Sequence, residues 1–328
     1  MIGISFLLLM MIRIVFINIL LFVGGAYSAF AQNLFFKAFQ EGFANRPINE
    51  FLVDQKGFLW IGTYGAGLHR FDGHSYESHM FDWRDSSSLG SNFINALEED
   101  SLGNIWIGHD KGICYYDPVY QKVSRTNIKY SQNPGQKQIS VLTILGTSNG
   151  DLFLGTNGNG LIRLERSLHS EGSVDASAFY QNTVVSDLLE DSQGNIFAAT
   201  SSGLQIFSSA DQLLEQPAFV RQEAILQQSL KSIFHHNGTL WIGTENLGLI
   251  QVKDYHTDNY VIKTYPITTK RIMDIKLFGG KSLLIATEND GLFEMNLETS
   301  SLSHYLHDPY NENSIETNSI WTLKVEQN

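Results

Sequence analysis

Short apolar runs recur along the chain at a steady interval, and each run carries a small residue near its end. They read LWIGT at 59–63, IWIG at 105–108, FLGT at 153–156, FAAT at 197–200, LWIGT at 240–244 and LIAT at 284–287. The small residues fall at positions 62, 108, 155, 199, 243 and 286, so the intervals are 46, 47, 44, 44 and 43 residues. A constant period in the forties indicates one supersecondary unit that is repeated.

The second repeat predicts four short strands with tight turns between them. Its strands are expected at 92–98, 105–108, 113–117 and around 121–127, and Asp-x-x-Gly at 100–103 supplies the first turn. Asp bonds its own backbone in such turns and Gly accepts a positive φ, so both residues favour hairpins. In the fifth repeat this turn shortens to Asn237-Gly238, a two-residue hairpin signal. Helical periodicity is absent from the repeats, and the fold class is therefore all-β.

The second strand of each repeat is apolar on both faces, which predicts burial from two sides. Sheets stacked radially on copies of themselves give that burial, so the predicted fold is a β-propeller of four-stranded blades. Trp60, Trp106 and Trp241 are expected to fill the seams between blades. The small residues there let the neighbouring sheet approach, and the glycines among them are Gly62, Gly108, Gly155 and Gly243. A linear β-solenoid is disfavoured because its repeats are usually shorter, about 20–30 residues.

The repeats predict six full blades and an incomplete seventh within residues 32–328. The blades are expected near 48–80, 92–127, 139–180, 184–222, 229–265 and 271–306, and the seventh begins within 318–328. LFFKAF at 34–39 has no blade of its own and is predicted to form the outer strand of the seventh. Two middle strands of that blade would then be missing, which predicts a fragment of a longer protein. A six-bladed ring with a frayed tail is the alternative.

Residues 1–31 are nearly all apolar and end in Ala29-Phe30-Ala31, a small-x-small pattern typical of signal peptidase cleavage. An uncleaved N-terminal anchor is the alternative, since the run is long enough to span a bilayer. Either form exports the remainder of the chain. The net charge is −12, which disfavours nucleic acid and anionic membrane surfaces as partners. The single cysteine, Cys114, allows no intramolecular disulfide and is predicted to be a core residue.

Motifs for catalysis, metal binding or a nucleotide cofactor are not found in the sequence. Histidines occur at 69, 74, 79, 235 and 236, but their spacing does not bring three or four ligands to one point. The Gly-rich stretch at 156–160 lacks the following helix and lysine of a phosphate site, so a hairpin turn is favoured. We therefore expect no enzyme activity, metal or cofactor. A propeller lyase or glycan hydrolase would need carboxylates or a His–metal cluster converging at the axis.

Binding sites on propellers are usually loops on one face near the central channel, and here aromatic, amide and carboxylate residues occupy the predicted loops. Such groups suit sugar hydroxyls. The candidates for ligand binding are Tyr64, Trp83, Arg84, Asn157, Asn159, Glu245, Asn246, Glu288 and Asn289. Polar residues are common in any loop, so a purely structural role is the competing interpretation.

The repeat resembles the two-component regulator propeller repeat. The resemblance rests on Asp-x-x-Gly-x-Leu-Trp-Ile-Gly-Thr followed by Gly-Leu, and on the blade junction DSSSLGSN at 85–92. It runs from about residue 34 to the end and is clearest in the first, second and fifth copies. The third, fourth and sixth copies depart at Leu154, Ala198 and Ile285.

The resemblance implies the N-terminal periplasmic sensor part of a Bacteroidetes hybrid two-component system. It implies an oligosaccharide ligand, a homodimer in the full-length sensor, and an ectodomain of an inner-membrane protein whose membrane helix and histidine kinase lie beyond this chain. Contact with the membrane would then come only through the N-terminal segment or the downstream helix. The alternative is a standalone exported propeller that acts as a binding or scaffold module.

Overall fold

The computed structural model of the chain describes residues 46–130, 139–164, 173–208 and 216–325. The predicted signal segment 1–31 and the predicted strand at 34–39 lie outside the described residues. The described strands, β1 to β23, form six blades of consecutive hairpins. In each blade the chain runs outward from the first strand. The predicted all-β propeller with four-stranded antiparallel blades is confirmed.

The first three blades contain four strands each. They are β1 (Ile48–Val53), β2 (Leu59–Thr63), β3 (Leu68–Phe71), β4 (Tyr76–His79), β5 (Ile94–Glu99), β6 (Ile105–His109), β7 (Gly112–Asp117), β8 (Lys122–Tyr130), β9 (Val141–Gly146), β10 (Leu152–Thr156), β11 (Leu161–Leu164) and β12 (Ser173–Phe179). The outer strands β8 and β12 pair in parallel and join the second and third blades into one eight-stranded sheet. The repeat pattern alone does not predict this link.

The last three blades are built in the same order. Their strands are β13 (Val185–Glu190), β14 (Ile196–Thr200), β15 (Gly203–Phe207), β16 (Leu230–His236), β17 (Thr239–Thr244), β18 (Leu249–Lys253), β19 (Val261–Tyr265), β20 (Ile272–Phe278), β21 (Ser282–Thr287), β22 (Leu292–Asn296) and β23 (Leu302–Tyr305). Asn237 and Gly238 both have positive φ, which confirms the two-residue hairpin between β16 and β17.

The fourth blade departs from the four-strand pattern in the part of the chain that is described. Beyond β15, the side-chain amide of Gln216 bonds both the N–H and the C=O of Ile206, at 3.0 Å each, and so imitates one rung of an outer strand. A short helix, α1 (Ala218–Gln222), and a 3-10 turn (Ala224–Gln227) follow. These helical turns could not be predicted from the repeat, because they lie in the stretch of unchanged length where the first blade has its outer strand and its crossing to the next blade.

The seams between blades are filled by the residue that aligns with tryptophan in the second strand. Trp60, Trp106 and Trp241 are at most 4% exposed. Each belongs to a hydrophobic cluster that includes the first and second strands of the next blade. Phe153 and Phe197 occupy the same position in the third and fourth blades and pack in the same way. These residues therefore pack between neighbouring blades.

The small residue of each repeat lies where the next blade comes closest. A Cβ on Gly62 would lie 2.7 Å from Ile94 Cγ2, and one on Gly108 would lie 2.7 Å from Val141 Cγ1. Ile94 and Val141 begin the innermost strands of the following blades. Gly155 and Gly243 are equally crowded, by Thr143 and Ser232 within the blade and by the next blade beyond it. The close approach of neighbouring sheets therefore requires these residues to be small.

The threonine that follows the small residue closes the next turn. In five blades its hydroxyl donates to the carbonyl of the glycine that precedes or begins the third strand, over 2.6–2.8 Å, as in Thr244 to Gly248. His109 replaces this threonine in the second blade and is buried beneath Gly90. Cys114 is fully buried, as predicted.

The segment after β23 lies on the sixth blade in the way each blade lies on its predecessor. Gly291 N donates to Asn318 O (2.8 Å), as Gly67 N donates to Asn92 O (3.0 Å) between the first two blades. Leu323 N donates to Asp274 Oδ2, as Ile233 N donates to Asp187 Oδ2, both at 2.8 Å. Residues 306–325 contain no strand. The segment predicted to begin a seventh blade therefore makes these inter-blade hydrogen bonds without forming a strand.

We predict that Gly108→Ala destabilises the fold by about 1–3 kcal/mol, because the new methyl group overpacks the seam against Val141. Urea unfolding followed by far-UV circular dichroism measures the loss. The double variant Gly108→Ala/Val141→Ala should lose less than the sum of the two single variants, because Val141→Ala makes room for the methyl group. Additive losses would show that the two positions do not compete for the same space.

Candidate functional site

The loops after the second strands and the crossings between blades share one face of the propeller, here called the upper face. In several blades, a backbone hydrogen bond ties the first residue of this loop to the start of the innermost strand of the same blade. The backbone N–H groups of Tyr64, Asn157, Glu245 and Glu288 donate to the residues just before those strands, over 2.9–3.1 Å. Because innermost strands surround the axis of a propeller, these four candidates form part of a ring around the axial opening.

One side of this ring is charged. Glu245 bonds Lys231 Nζ at 2.8 Å and also the guanidinium of Arg271, and Arg271 reaches Glu288 at 3.3 Å. Burial opposes the charge on Glu245, but hydrogen bonds from Lys231 and Arg271 outweigh it and lower the pKa of this carboxyl. The carboxylates are therefore fixed in position, and two cations that the sequence analysis did not include complete the cluster.

The other side of the ring is aromatic. Tyr64 is 53% exposed, and its ring meets Phe93 edge-on with 4.8 Å between centroids. Asn157 is exposed in the corresponding loop of the third blade, and Asn159 lies two residues further along the same loop. Exposed rings and amides are groups that suit a sugar face and its hydroxyls.

The remaining candidates lie further from this ring or at its edge. Trp83 is 74% exposed in the crossing between the first two blades, and the Arg84 guanidinium stacks on its ring at 4.9 Å. Within the described residues, no hydrogen bond or ring contact joins this pair to the other candidates. Asn246 and Asn289 are exposed, each one residue beyond the anchored glutamates. Their role as ligand contacts stays a prediction.

An axial cluster of ionisable residues was missed by the sequence analysis. Every innermost strand has a bulge at its second residue, and the residue after the bulge pairs with the small residue of the second strand. Glu50, Asp187 and Asp274 occupy this position in three blades, and Lys276 bonds Asp274 at 2.9 Å. Each of these three carboxylates lies twelve residues before the small residue of its repeat, and that constant offset was the signal that could have found them.

Burial and the charges within the axial cluster shift the pKa values of three of its residues. Burial, with the Asp274 charge added, raises the pKa of Glu50 to about 8, although Lys276 opposes the change. Burial likewise raises the pKa of Asp187 to about 6, against hydrogen bonds and the Lys276 charge. Burial alone would lower the pKa of Lys276, but Asp274 and Asp187 reverse this and raise it. Glu50 is therefore mostly protonated at neutral pH and Lys276 charged.

Among the described residues, no group of three or more His, Cys, Asp or Glu side chains is arranged to hold a metal ion. None of the helices that the structure describes has the length and apolar character needed to cross a membrane.

Comparison with known proteins agrees with the repeat geometry. A family model described as the two component regulator propeller matches residues 42–65 and 88–111, the two segments that lead into and through the first two seams. The chain contains two-component regulator propeller repeats. The seams from the third to the sixth blade lie outside the matched segments and have the same packing as the first two.

Solved propellers and one curated protein resemble the chain over limited parts of their length. An extracellular domain attributed to a hybrid two component system of B. thetaiotaomicron is 23% identical, with TM-score 0.64, and the match covers 84% of this chain and 35% of that one. A second such domain from this species is 19% identical, with TM-score 0.53, over 87% and 44%. These likenesses show the fold.

The curated protein "Histidine kinase P4" of Formosa agariphila is 27% identical over 93 residues, 27% of this chain and 7% of the kinase. The chain thus spans less than half of the length of each of these relatives.

We predict that the Glu50 carboxyl contributes a fall in stability as pH rises from 5 to 9 and that Glu50→Gln removes this contribution. A carboxyl whose pKa is raised on folding stabilises the native state fully below about 4.5, the unfolded value, and this contribution is lost as pH rises through about 8. Melting temperature against pH measures the slope. Asp72→Asn is the control, because hydrogen bonds from the backbone of Ser75 and His74 lower the pKa of that exposed carboxyl to about 2, outside the window. An unchanged slope in Glu50→Gln would contradict the assignment.

Proposed function

We propose that this chain is the exported sensor propeller of a hybrid two-component system and that the upper face binds an oligosaccharide signal. The observation that supports this proposal is the pair of two-component regulator repeats at residues 42–65 and 88–111. Similar propellers in B. thetaiotaomicron are described as extracellular domains of such systems. The chain itself is expected to perform no catalysis.

The geometry of the upper face supports a neutral, hydroxyl-rich ligand. Exposed rings at Tyr64 and Trp83 offer flat apolar surfaces. Glu245 and Glu288 accept hydrogen bonds while Lys231 and Arg271 balance their charge, so the cluster attracts no simple ion of either sign. Sugars need this combination of stacking surfaces and fixed polar groups. The same face carries the blade crossings.

In the proposed receptor, residues 1–31 direct export to the periplasm and are removed before Gln32. The receptor acts as a homodimer in the inner membrane, and ligand on the propeller changes how the two copies are held together. A membrane helix and a histidine kinase in the remainder of the receptor transmit that change.

We predict that Tyr64→Ala and Trp83→Ala weaken the transcriptional response of the full-length receptor to its oligosaccharide roughly thirtyfold in half-maximal concentration, the effect of losing an aromatic anchor worth about 2 kcal/mol. A reporter strain exposed to a panel of released glycans measures the response. Tyr120→Ala is the matched control, because Tyr120 is a similarly exposed ring (74%) in a loop on the opposite face.

Equal sensitivity in all three variants would contradict the proposed ligand face. Deletion of residues 40–320 should abolish ligand-dependent transcription. A response that survives this deletion would contradict the sensor role, and binding of glycans without any response would favour the standalone binding module.

A further inference from the structure

A cavity of about 260 Å³ opens between the fourth and fifth blades, on the face opposite the candidate ligand ring. Its walls come from the turn that starts at Asp191, from β14 and β15, from helix α1, and from the loop between β18 and β19. Its lining includes Asp191, Phe197, Phe219, Tyr255 and Asp258. No residue of the ligand ring or axial cluster contributes to these walls.

Comparison with the second blade explains one wall of the cavity. There, Asp100 Oδ2 accepts hydrogen bonds from Asn104 Nδ2 and from the Trp106 indole N–H, both at 2.9 Å. In the fourth blade, Asp191 Oδ2 accepts from Asn195 Nδ2 at 3.0 Å. Phe197 stands in the tryptophan position and has no N–H to donate. The carboxylate therefore retains an acceptor site where the second blade places an indole.

A second polar atom at the cavity is also unsatisfied. Tyr255 is only 3% exposed, and its hydroxyl has no hydrogen-bond partner in the part of the chain that the structure describes. Phe197 and His235 hold its ring edge-on, with centroids 5.5 and 5.8 Å away. A buried hydroxyl without a partner is unfavourable, which favours a ligand group that bonds it.

The charge of the lining indicates what that group is. Carboxylates at Asp191 and Asp258 line the cavity, and none of its described lining residues is Lys or Arg. The rings of Phe197, Phe219 and Tyr255 form an aromatic wall. His256 also lines the cavity, and burial lowers the pKa of His235 behind Tyr255, with a further lowering from His256. Carboxylates beside aromatic rings favour a cation.

We propose that this cavity binds a small organic cation, a primary ammonium or guanidinium group on an aliphatic stem. The cationic N–H groups donate to Asp191 Oδ2 and to the Tyr255 hydroxyl oxygen, the stem lies against Phe219, and Asp258 attracts the charge at the rim. The cation comes either as a free amine or as the side chain of a peptide. This site is independent of the proposed sugar-binding face and stands or falls without it.

Calorimetric titration of the full chain tests the proposal with putrescine and arginine methyl ester, each against butane-1,4-diol as a neutral molecule of the same length as putrescine. The cations should bind at least about tenfold more tightly than the diol. A lysine-containing tripeptide added as a further probe separates the two sources. Tighter binding of the peptide indicates a protein side chain, and tighter binding of putrescine indicates a free amine.

Phe197→Trp is the decisive variant, because it fills the cavity and supplies the indole N–H that Asp191 lacks. It should lower cation affinity at least about tenfold while the melting temperature stays equal or rises. Asp258→Asn and Tyr255→Phe, which keep side-chain volume, should each weaken binding several-fold. Tyr120→Ala, in an exposed loop of the same face on the second blade, should bind like the parent chain.

Three results would overturn the proposal. The first is absence of cation binding up to about 10 mM, because a specific site is expected to bind more tightly than this. The second is diol or glucose binding as tight as putrescine, which would assign the cavity to neutral polyols. The third is cation binding that survives Phe197→Trp or, if that variant does not fold, binding unaffected by both Tyr255→Phe and Asp258→Asn.

Discussion

The contact between a large apolar side chain in one blade and the innermost strand of the next is the interaction on which this propeller depends. Trp60, Trp106 and Trp241 supply it where the repeat is strongest, and Phe153 and Phe197 supply it elsewhere. The contact is possible only because a Gly or Ala two residues later lets the next strand approach. Burial of apolar area on both faces of each middle strand then stabilises the fold without disulfides.

The seam also determines where variation is tolerated. Seam positions stay apolar, with a large residue followed two positions later by a small one, whereas the loops at the two ends of each blade differ in length and chemistry. On the upper face this freedom places Tyr64 in one blade and Glu245 at the corresponding position in another. On the opposite face, Phe197 stands where the second blade has a tryptophan. It keeps the apolar contact but lacks the indole N–H that would bond the aspartate of the turn. The candidate functional groups thus occur where individual repeats depart from the geometry that the repeats share.

Much of the fold could be predicted from the sequence because the repeat exposes its own period. The seam tryptophans, the crowded glycines and the hairpin at Asn237-Gly238 all follow from local pattern. The parallel pairing of β8 with β12 and the helix α1 could not be predicted, since both arise where outer segments differ from the repeat.

The candidate site was only partly predictable for a different reason. Loop residues such as Glu245 and Glu288 were found, but the cations between them come from the innermost strand and from the segment just before one. The axial carboxylates, and the cavity beside Tyr255, depend on residues from different blades that converge in space. A single repeat read along the sequence does not show such convergence, and only the radial arrangement of the blades brings the groups together.

Hydrogen exchange of the Trp106→Ala variant tests the seam most directly. If the indole stabilises the contact between the second and third blades, amides of β6 and β10 should lose protection together, while those of β17 and β21 keep theirs. Loss confined to the second blade would contradict the account, because it would mean that each sheet is stable without its neighbour.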